Sequence, residues 1–329
     1  MLFKKSPKTF VVKEGLMPRF DGGKYFYYAL EKQGVSTPTA VKLIEEASGA
    51  RIFFSGLKDA DSHSFQWVCA EKELVEPNGK KIQLRFSGNS SKRIFVGMHD
   101  ANFFEATLEK VTEKEKLFLK KAGKLVFPNY FDDQRFDENS LAVGDALLLN
   151  EFEVALKKIM AEKSPYDSPL SKKIKSFIHS NWGEWKKIAE AEIIPENKKK
   201  VFVFLLADPG NFREALLFCN RRQLSIACRA IQAQRFNELL AAQISKTKKQ
   251  KFIEVKGQRY PILFNKASVK RKIIVPAVFP KKKSLERKTF FRPRDYEIQA
   301  EGENVKLLFE LSKGCYATIL IKCVQELPG

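Results

Sequence analysis

The stretch Phe53-Phe54-Ser55-Gly56-Leu57-Lys58-Asp59, followed by Gln66-Trp67, places one carboxylate beside one ammonium just past an apolar run and a glycine. An aspartate in that setting can act as a nucleophile or a base, because an acid with an adjacent cation stays ionised at neutral pH. The same residues also describe an ordinary surface turn with a local ion pair, and the pair alone does not separate the two readings. Other chemistries find less support. The five cysteines, at 69, 219, 228, 315 and 323, form no close pair, and the three histidines at 63, 99 and 179 are scattered. No zinc or iron–sulfur spacing results, which argues against metal catalysis, and an odd number of widely spaced thiols suits a reducing cytosol. His63 and His99 flank motif positions and are assigned no role.

The elements that must hold Asp59 can be read from pattern. Arg51 to Phe54 has the β-branched and aromatic character of a buried strand, and Gly56 ends it by allowing backbone angles that other residues resist. Upstream, Thr9–Val12 and Lys24–Leu30 read as strands, and Thr37-Pro38 reads as the cap and first turn of a helix that Gly49 stops. Downstream, strands are expected at Phe65–Ala70, Lys81–Phe86, Arg93–Gly97 and Phe104–Val111, several of them antiparallel. Thr112, with Glu115 three residues on, opens a capping-box helix to Lys121. Leu141 to Phe218 shows helical periodicity, broken at Asp208-Pro209-Gly210. The chain ends in two strand-like segments, Val305–Leu311 and Tyr316–Val324, joined by a hairpin turn at Ser312-Lys313-Gly314.

Composition points to a polyanionic partner. The 329 residues carry 59 Lys and Arg against 39 Asp and Glu, a formal charge of +20 spread along the chain. Nucleic acid fits better than a membrane surface, since there is no long uncharged apolar run and no leader-like pattern at Met1-Leu2-Phe3-Lys4. Lys248-Lys249, Lys270-Arg271-Lys272 and Lys281-Lys282-Lys283 concentrate charge between 246 and 288, as a surface tracking phosphates requires. A 44% hydrophobic content with 28 Phe is enough for two cores, or for one large domain with an insertion.

Five segments in order resemble the TruD family of RNA pseudouridine synthases. They are Gly56-Leu57-Lys58-Asp59 with Gln66-Trp67, Ala101-Asn102-Phe103-Phe104, and Pro128-Asn129-Tyr130-Phe131-Asp132-Asp133-Gln134-Arg135-Phe136-Asp137. Arg235-Phe236-Asn237 and Leu311-Ser312-Lys313-Gly314-Cys315-Tyr316-Ala317-Thr318 complete the set. The Pro-Asn-Tyr-Phe signature is the most specific of them. The chain departs from the family's pattern at Ala60, where a basic residue is usual, at Ser62, and at Ala101, Asp132 and Asp137, where the family has glycine.

The resemblance implies an α+β fold. A catalytic domain with a mixed, largely antiparallel sheet and flanking helices would comprise residues 1–136 and 287–329. An insertion domain, 137–286, helical in its first half and basic in its second, would interrupt it, with RNA in the basic cleft between them. The activity implied is isomerisation of uridine to pseudouridine in tRNA, at position 13. This involves no redox step and needs no cofactor, but it needs the nucleotide drawn out of the RNA. Asp59 would be catalytic, by attack on the sugar or by removing a proton from it. Lys4 and Lys58 would balance that carboxylate or contact phosphate, and Phe104 would stack on the extruded base. Asn102 would hydrogen-bond in the site or cap the turn before its strand. Asn129, Gln134 and Arg135 would form a buried polar network supporting the site, Arg135 alternatively reaching RNA, while Tyr130, Phe131 and Phe136 would be core. Asn237 would lie on a helix, facing the cleft, and Gly314 with Tyr316–Thr318 would shape the last hairpin. A cytoplasmic monomer acting on tRNA, and on other structured RNA, is the expectation, with no membrane partner. The rival reading is an RNA-binding protein or chaperone that keeps the scaffold without catalysis. With Ala60 beside Asp59, Lys58 or a residue distant in sequence must keep the aspartate oriented and charged.

Overall fold

Burial alternates along Phe10, Val12 and Glu14, and the computed structural model makes this segment the strand β1 (Phe10–Gly15). The structure describes residues 1–136, 138–164, 167–244, 250–263, 269–279 and 283–327. After β1 come β2 (Tyr25–Gln33), α1 (Thr37–Ser48), β3 (Phe53–Phe54), β4 (His63–Ala70), β5 (Ile82–Ser90), β6 (Ala101–Leu108), α2 (Glu113–Ala122) and β7 (Phe127–Pro128). A helical stretch follows: α3 (Glu138–Leu148), α4 (Phe152–Met160), α5 (Pro169–Ser180), α6 (Trp185–Glu190), α7 (Glu196–Ala207), α8 (Phe212–Ala215) and α9 (Arg221–Ile244). Short strands β8 (Phe252–Val255), β9 (Gln258–Pro261), β10 (Lys272–Val275) and β11 (Leu285–Lys288) lead to β12 (Phe290–Phe291), β13 (Arg294–Glu301), β14 (Asn304–Ser312) and α10 (Ala317–Glu326).

Two units result. Met1–Asn129, Lys251–Ile253 and Phe290–Gly329 form the first, and Tyr130–Gln250 with Glu254–Thr289 the second. The first is α+β, built on an eight-stranded sheet in the order β13-β14-β6-β1-β4-β2-β5, with β3 attached to β4. Among the described residues of this sheet only β1 and β4 run parallel; the other pairs are antiparallel. Helix α1 covers one face, burying Ala40, Val41 and Ile44 with Tyr28, Leu30, Val68 and Ile82. In the second unit, α3 to α9 enclose a core that includes Trp185, Phe202 and Leu216.

Four local expectations change. Arg93–Gly97 is not a strand: the Ile94 N–H bonds to Cys69 Sγ at 3.2 Å, the Gly97 N–H to Ser55 O at 2.8 Å, and Gly97 turns the chain at φ 85°. Tyr316–Val324 is helical, α10, and no terminal hairpin forms. Its residues are buried nearly all round, at Ala317, Ile319, Leu320, Ile321, Cys323 and Val324, so its sequence shows neither the period of a strand nor that of a half-exposed helix. The partners of β14 are instead β6 and the charged edge strand β13, whose pattern carries no apolar alternation. Finally, the cap of α1 is Ser36, which leaves the Thr37 hydroxyl available elsewhere. The capping box at Thr112 and Glu115 is present.

Candidate active site

Asp59 lies in the connection from β3 to β4, with its side chain 47% exposed and its Oδ2 2.9 Å from Lys5 Nζ. The backbone beneath that carboxylate is tied on several sides. Thr37 accepts from the Lys58 N–H at 2.9 Å through its hydroxyl and donates its own N–H to Lys58 O at 3.0 Å. The same hydroxyl donates to Gln66 Oε1 at 2.7 Å, and Gln66 Nε2 donates to Gly56 O at 3.1 Å. Ser62 Oγ donates to Asp59 O at 3.0 Å, so Ser62 closes the loop on itself. Lys32 Nζ donates to both Lys58 O and Asp59 O at 3.1 Å. The Gln66 of the sequence motif therefore serves the loop and not a substrate.

Lys58 turns the other way. Its ammonium is buried and donates to Glu14 Oε1 at 3.1 Å, with the Glu14 side chain fully buried. Glu14 Oε2 also accepts from the Trp67 N–H at 3.3 Å. His99 Nδ1 lies 3.6 Å from the same Glu14 oxygen and 2.6 Å from Ser55 Oγ, which accepts the His99 N–H at 2.9 Å. Burial first, then the Lys58 charge, pulls the His99 imidazole below its ordinary value, with Glu14 opposing. This cluster leaves no space at Gly56: a Cβ there would sit 2.7 Å from His99 Cε1 and 3.0 Å from Lys58 Nζ. The glycine is needed for close approach, not for the unusual backbone angle expected of it, since Gly56 is not among the positive-φ residues.

Register brings further residues to the same face of the sheet. Lys32 pairs with Ser64, Ser64 with Val12, Val12 with Phe104, and Phe104 with Phe309; one pleat along, Glu14 pairs with Asn102. Directly opposed residues share a face, so Lys32, Glu14, Asn102 and Phe104 lie on one side. Phe104 is 8% exposed, its ring 5.8 Å from Phe10 and 5.5 Å from Phe309 in stacked arrangement. A base meeting it would cover its outer edge or displace a neighbour. Asn102 Oδ1 is buried without a hydrogen-bond partner among the described residues, and Asn102 is a strand residue rather than a turn cap.

The remaining expected residues are more dispersed. Lys4 is exposed, and it is Lys5 that meets Asp59. Asn129 is buried, Arg135 half-buried and Gln134 exposed, so Gln134 is not part of a buried network. The Arg135 guanidinium lies 5.7 Å from the Phe131 ring and lines a recess with Arg229 and Lys283. Tyr130, Phe131 and Phe136 are core. Asn237 is fully buried, accepting from the Phe131 N–H at 2.8 Å and donating to Phe131 O at 3.0 Å, so it holds the Pro-Asn-Tyr-Phe segment and lines no cleft. Lys270, Arg271 and Lys272 are exposed; Asp137, Lys248, Lys249, Lys281 and Lys282 lie outside the described residues.

Sequence reasoning passes over Lys5, Glu14, Lys32 and Thr37. A signal does exist for Glu14 and Lys32, since alternation along Val12-Lys13-Glu14 and Tyr28-Ala29-Leu30-Glu31-Lys32 places both on the buried face. Among the described residues no His, Cys, Asp and Glu group could hold a metal, and no helix is long and apolar enough to cross a membrane.

An α+β unit with a mixed sheet, presenting one held carboxylate, defines the class. The chain belongs to the family described as tRNA pseudouridine synthase D (TruD), whose model matches residues 1–259. It is similar to the probable tRNA pseudouridine synthase D 1 of Methanococcus maripaludis, 24% identical over 98% of this chain and 99% of that protein. It is also similar to the tRNA pseudouridine synthase D of Aquifex aeolicus, 26% identical over 97% and 96%. The crystal structure of the putative tRNA pseudouridine synthase D from Methanosarcina mazei shares the fold, at a TM-score of 0.59 and 19% identity, covering 99% of this chain and 94% of that one.

Proposed function

We infer that this protein is an isomerase that converts uridine to pseudouridine in tRNA, at position 13, with Asp59 as its catalytic residue. The reaction breaks the bond between ribose C1′ and the base nitrogen, turns the base, joins C1′ to the base carbon, and releases that carbon's hydrogen as a proton while the freed nitrogen gains one. Atoms and charge balance with no oxidant or cofactor. Attack on the sugar and removal of a sugar proton both require an ionised carboxylate near C1′ of a flipped nucleotide. The observation that carries this reading is the Asp59 carboxylate itself, 47% exposed and met by Lys5 on a loop whose backbone is otherwise locked, in a chain belonging to TruD.

The neighbouring residues take roles that follow from their places. Lys5 aims the carboxylate, a charge contact expected of Lys4 or Lys58, and exposed Lys4 is left for RNA phosphates. Asn102, whose oxygen is buried and unpartnered among the described residues, is a hydrogen-bond acceptor for the nucleotide, and the outer edge of Phe104 packs on the base. Arg135, with Arg229 and Lys283, binds phosphates, and Asn129 supports its strand end. The charge of +20 favours RNA at long range, the five free thiols suit a cytoplasmic setting, and the enzyme acts as a monomer.

Incubating unmodified tRNA transcripts with the pure protein and mapping pseudouridine by carbodiimide chemistry tests this. A single new modification at position 13 is expected. Saturable binding with no product would favour an RNA-binding role instead, and product at another site would remove the positional assignment.

A further inference from the structure

Lys32, near the end of β2, is fully buried, yet no carboxylate lies within ion-pair distance of it among the described residues. Its ammonium donates to three backbone oxygens: Val35 O at 2.6 Å, and Lys58 O and Asp59 O at 3.1 Å each. An ammonium has three N–H donors and no acceptor, so all of its hydrogen-bonding capacity goes to the backbone. A buried cation without a counter-ion is costly, and an apolar residue would fill the same space without that cost. What an apolar residue cannot do is gather two consecutive carbonyls of the Asp59 loop and a third from the turn before α1 to one point.

We propose that Lys32 is a positioning residue of the active site, fixing the backbone at Lys58–Asp59 so that the Asp59 carboxylate leaves the loop on the exposed side, where Lys5 meets it. This rests on Asp59 being catalytic, and it explains how the loop is held where Ala60 offers no cation of its own. The charged groups that act on Lys32 are Asp59, which favours the cation, and Lys58, which opposes it. The other partners of the same carbonyls are neutral, Thr37 at the start of α1 and Ser62 in the loop, as is Ser64 opposite on β4. Burial, the largest influence, lowers the Lys32 ammonium from its ordinary value to about 8. A neutral amine has two N–H groups and a lone pair. On deprotonation one of the three carbonyls loses its bond and faces the lone pair. The clamp therefore loosens in mildly alkaline solution.

The test compares wild type, Lys32→Met and Asp59→Asn on unmodified tRNA. Single-turnover pseudouridine formation and tRNA affinity are measured from pH 6.5 to 9.5, with circular dichroism as the check on folding. Lys32→Met is expected to bind tRNA within about threefold of wild type and to react at least about tenfold more slowly, given that a ~1 Å misplacement costs on the order of a hundredfold. The wild-type rate should fall with a midpoint near 8, and Lys32→Met should lack that midpoint, while any titration of uridine itself remains in both. A Lys32→Met rate within twofold of wild type, or an unchanged midpoint, overturns the proposal. Should Lys32→Met fail to fold, the wild-type profile decides: a fall near 8 with unchanged circular dichroism supports the clamp, and a flat rate overturns it. Product from Asp59→Asn would remove the reading of Asp59, whereas an inactive Asp59→Asn beside a wild-type-like Lys32→Met removes only the role of Lys32.

Discussion

Lys5 and Asp59, 54 residues apart, meet at 2.9 Å, the one ion pair of the Asp59 carboxylate among the described residues. The adjacent Lys58 points into the protein instead. Replacing Lys5 by Met should therefore slow pseudouridine formation by about tenfold or more, the scale of losing one positioning contact, and Lys58 will not compensate. Replacing Lys4 by Met should cost less. Single-turnover rates of the two variants check this, and an equal or larger loss from Lys4→Met would contradict it.

The Glu14–Lys58 pair is buried on both sides, so removing one partner strands the other. Glu14→Gln should destabilise the first unit by about 3–5 kcal/mol, the range for breaking a buried pair, measured by urea unfolding. A loss below about 1 kcal/mol would match an exposed pair and contradict the burial.

Gly56→Ala inserts a methyl 2.7 Å from the His99 ring and 3.0 Å from Lys58 Nζ. Overpacking of this kind costs roughly 1–3 kcal/mol. Because the displaced groups underlie the Asp59 loop, the turnover rate should fall more than tRNA affinity does. Equal losses in rate and affinity would point away from the loop.

Asn237→Leu removes both buried hydrogen bonds to the Phe131 backbone, each contributing about 0.5–1.5 kcal/mol. Thermal unfolding should register a loss in that range or above. A neutral outcome would mean that the Phe131 backbone finds other partners.

Lys32 also sets the sign of one pH effect on stability. Its ordinary value of 10.5 falls to about 8 in the folded protein, so between those values the unfolded chain holds the proton more fully. Stability linked to this group therefore rises with pH across that window, by up to about tenfold in the folding constant per pH unit. Comparing urea midpoints of wild type and Lys32→Met from pH 7.5 to 10 isolates it; the increment should vanish in the variant.

Much of this architecture is legible in the amino-acid sequence. The strands around Val12, Phe26, Trp67 and Phe104 follow from period-two alternation, and the capping box at Thr112 from local chemistry. Asp59 is singled out only by the ordered motifs that resemble TruD, not by the Lys58-Asp59 pair itself. Which cation meets it is not legible, because contact across 54 residues depends on how the turn Ser6–Thr9 directs Lys5, and adjacency favours Lys58. Helix α10 escapes for a different reason: burial on nearly every side erases the periodicity that distinguishes helix from strand. Asn237 can be recognised only as a motif member, since its partner, the Phe131 backbone, lies 106 residues earlier.

The most direct measurement is pseudouridine formation by Asp59→Asn on unmodified tRNA, read by mass spectrometry after exhaustive incubation, beside a tRNA-binding isotherm. The account predicts no product with binding close to wild type, since the amide keeps the side chain's shape and loses its charge. Pseudouridine above background from that variant would contradict it.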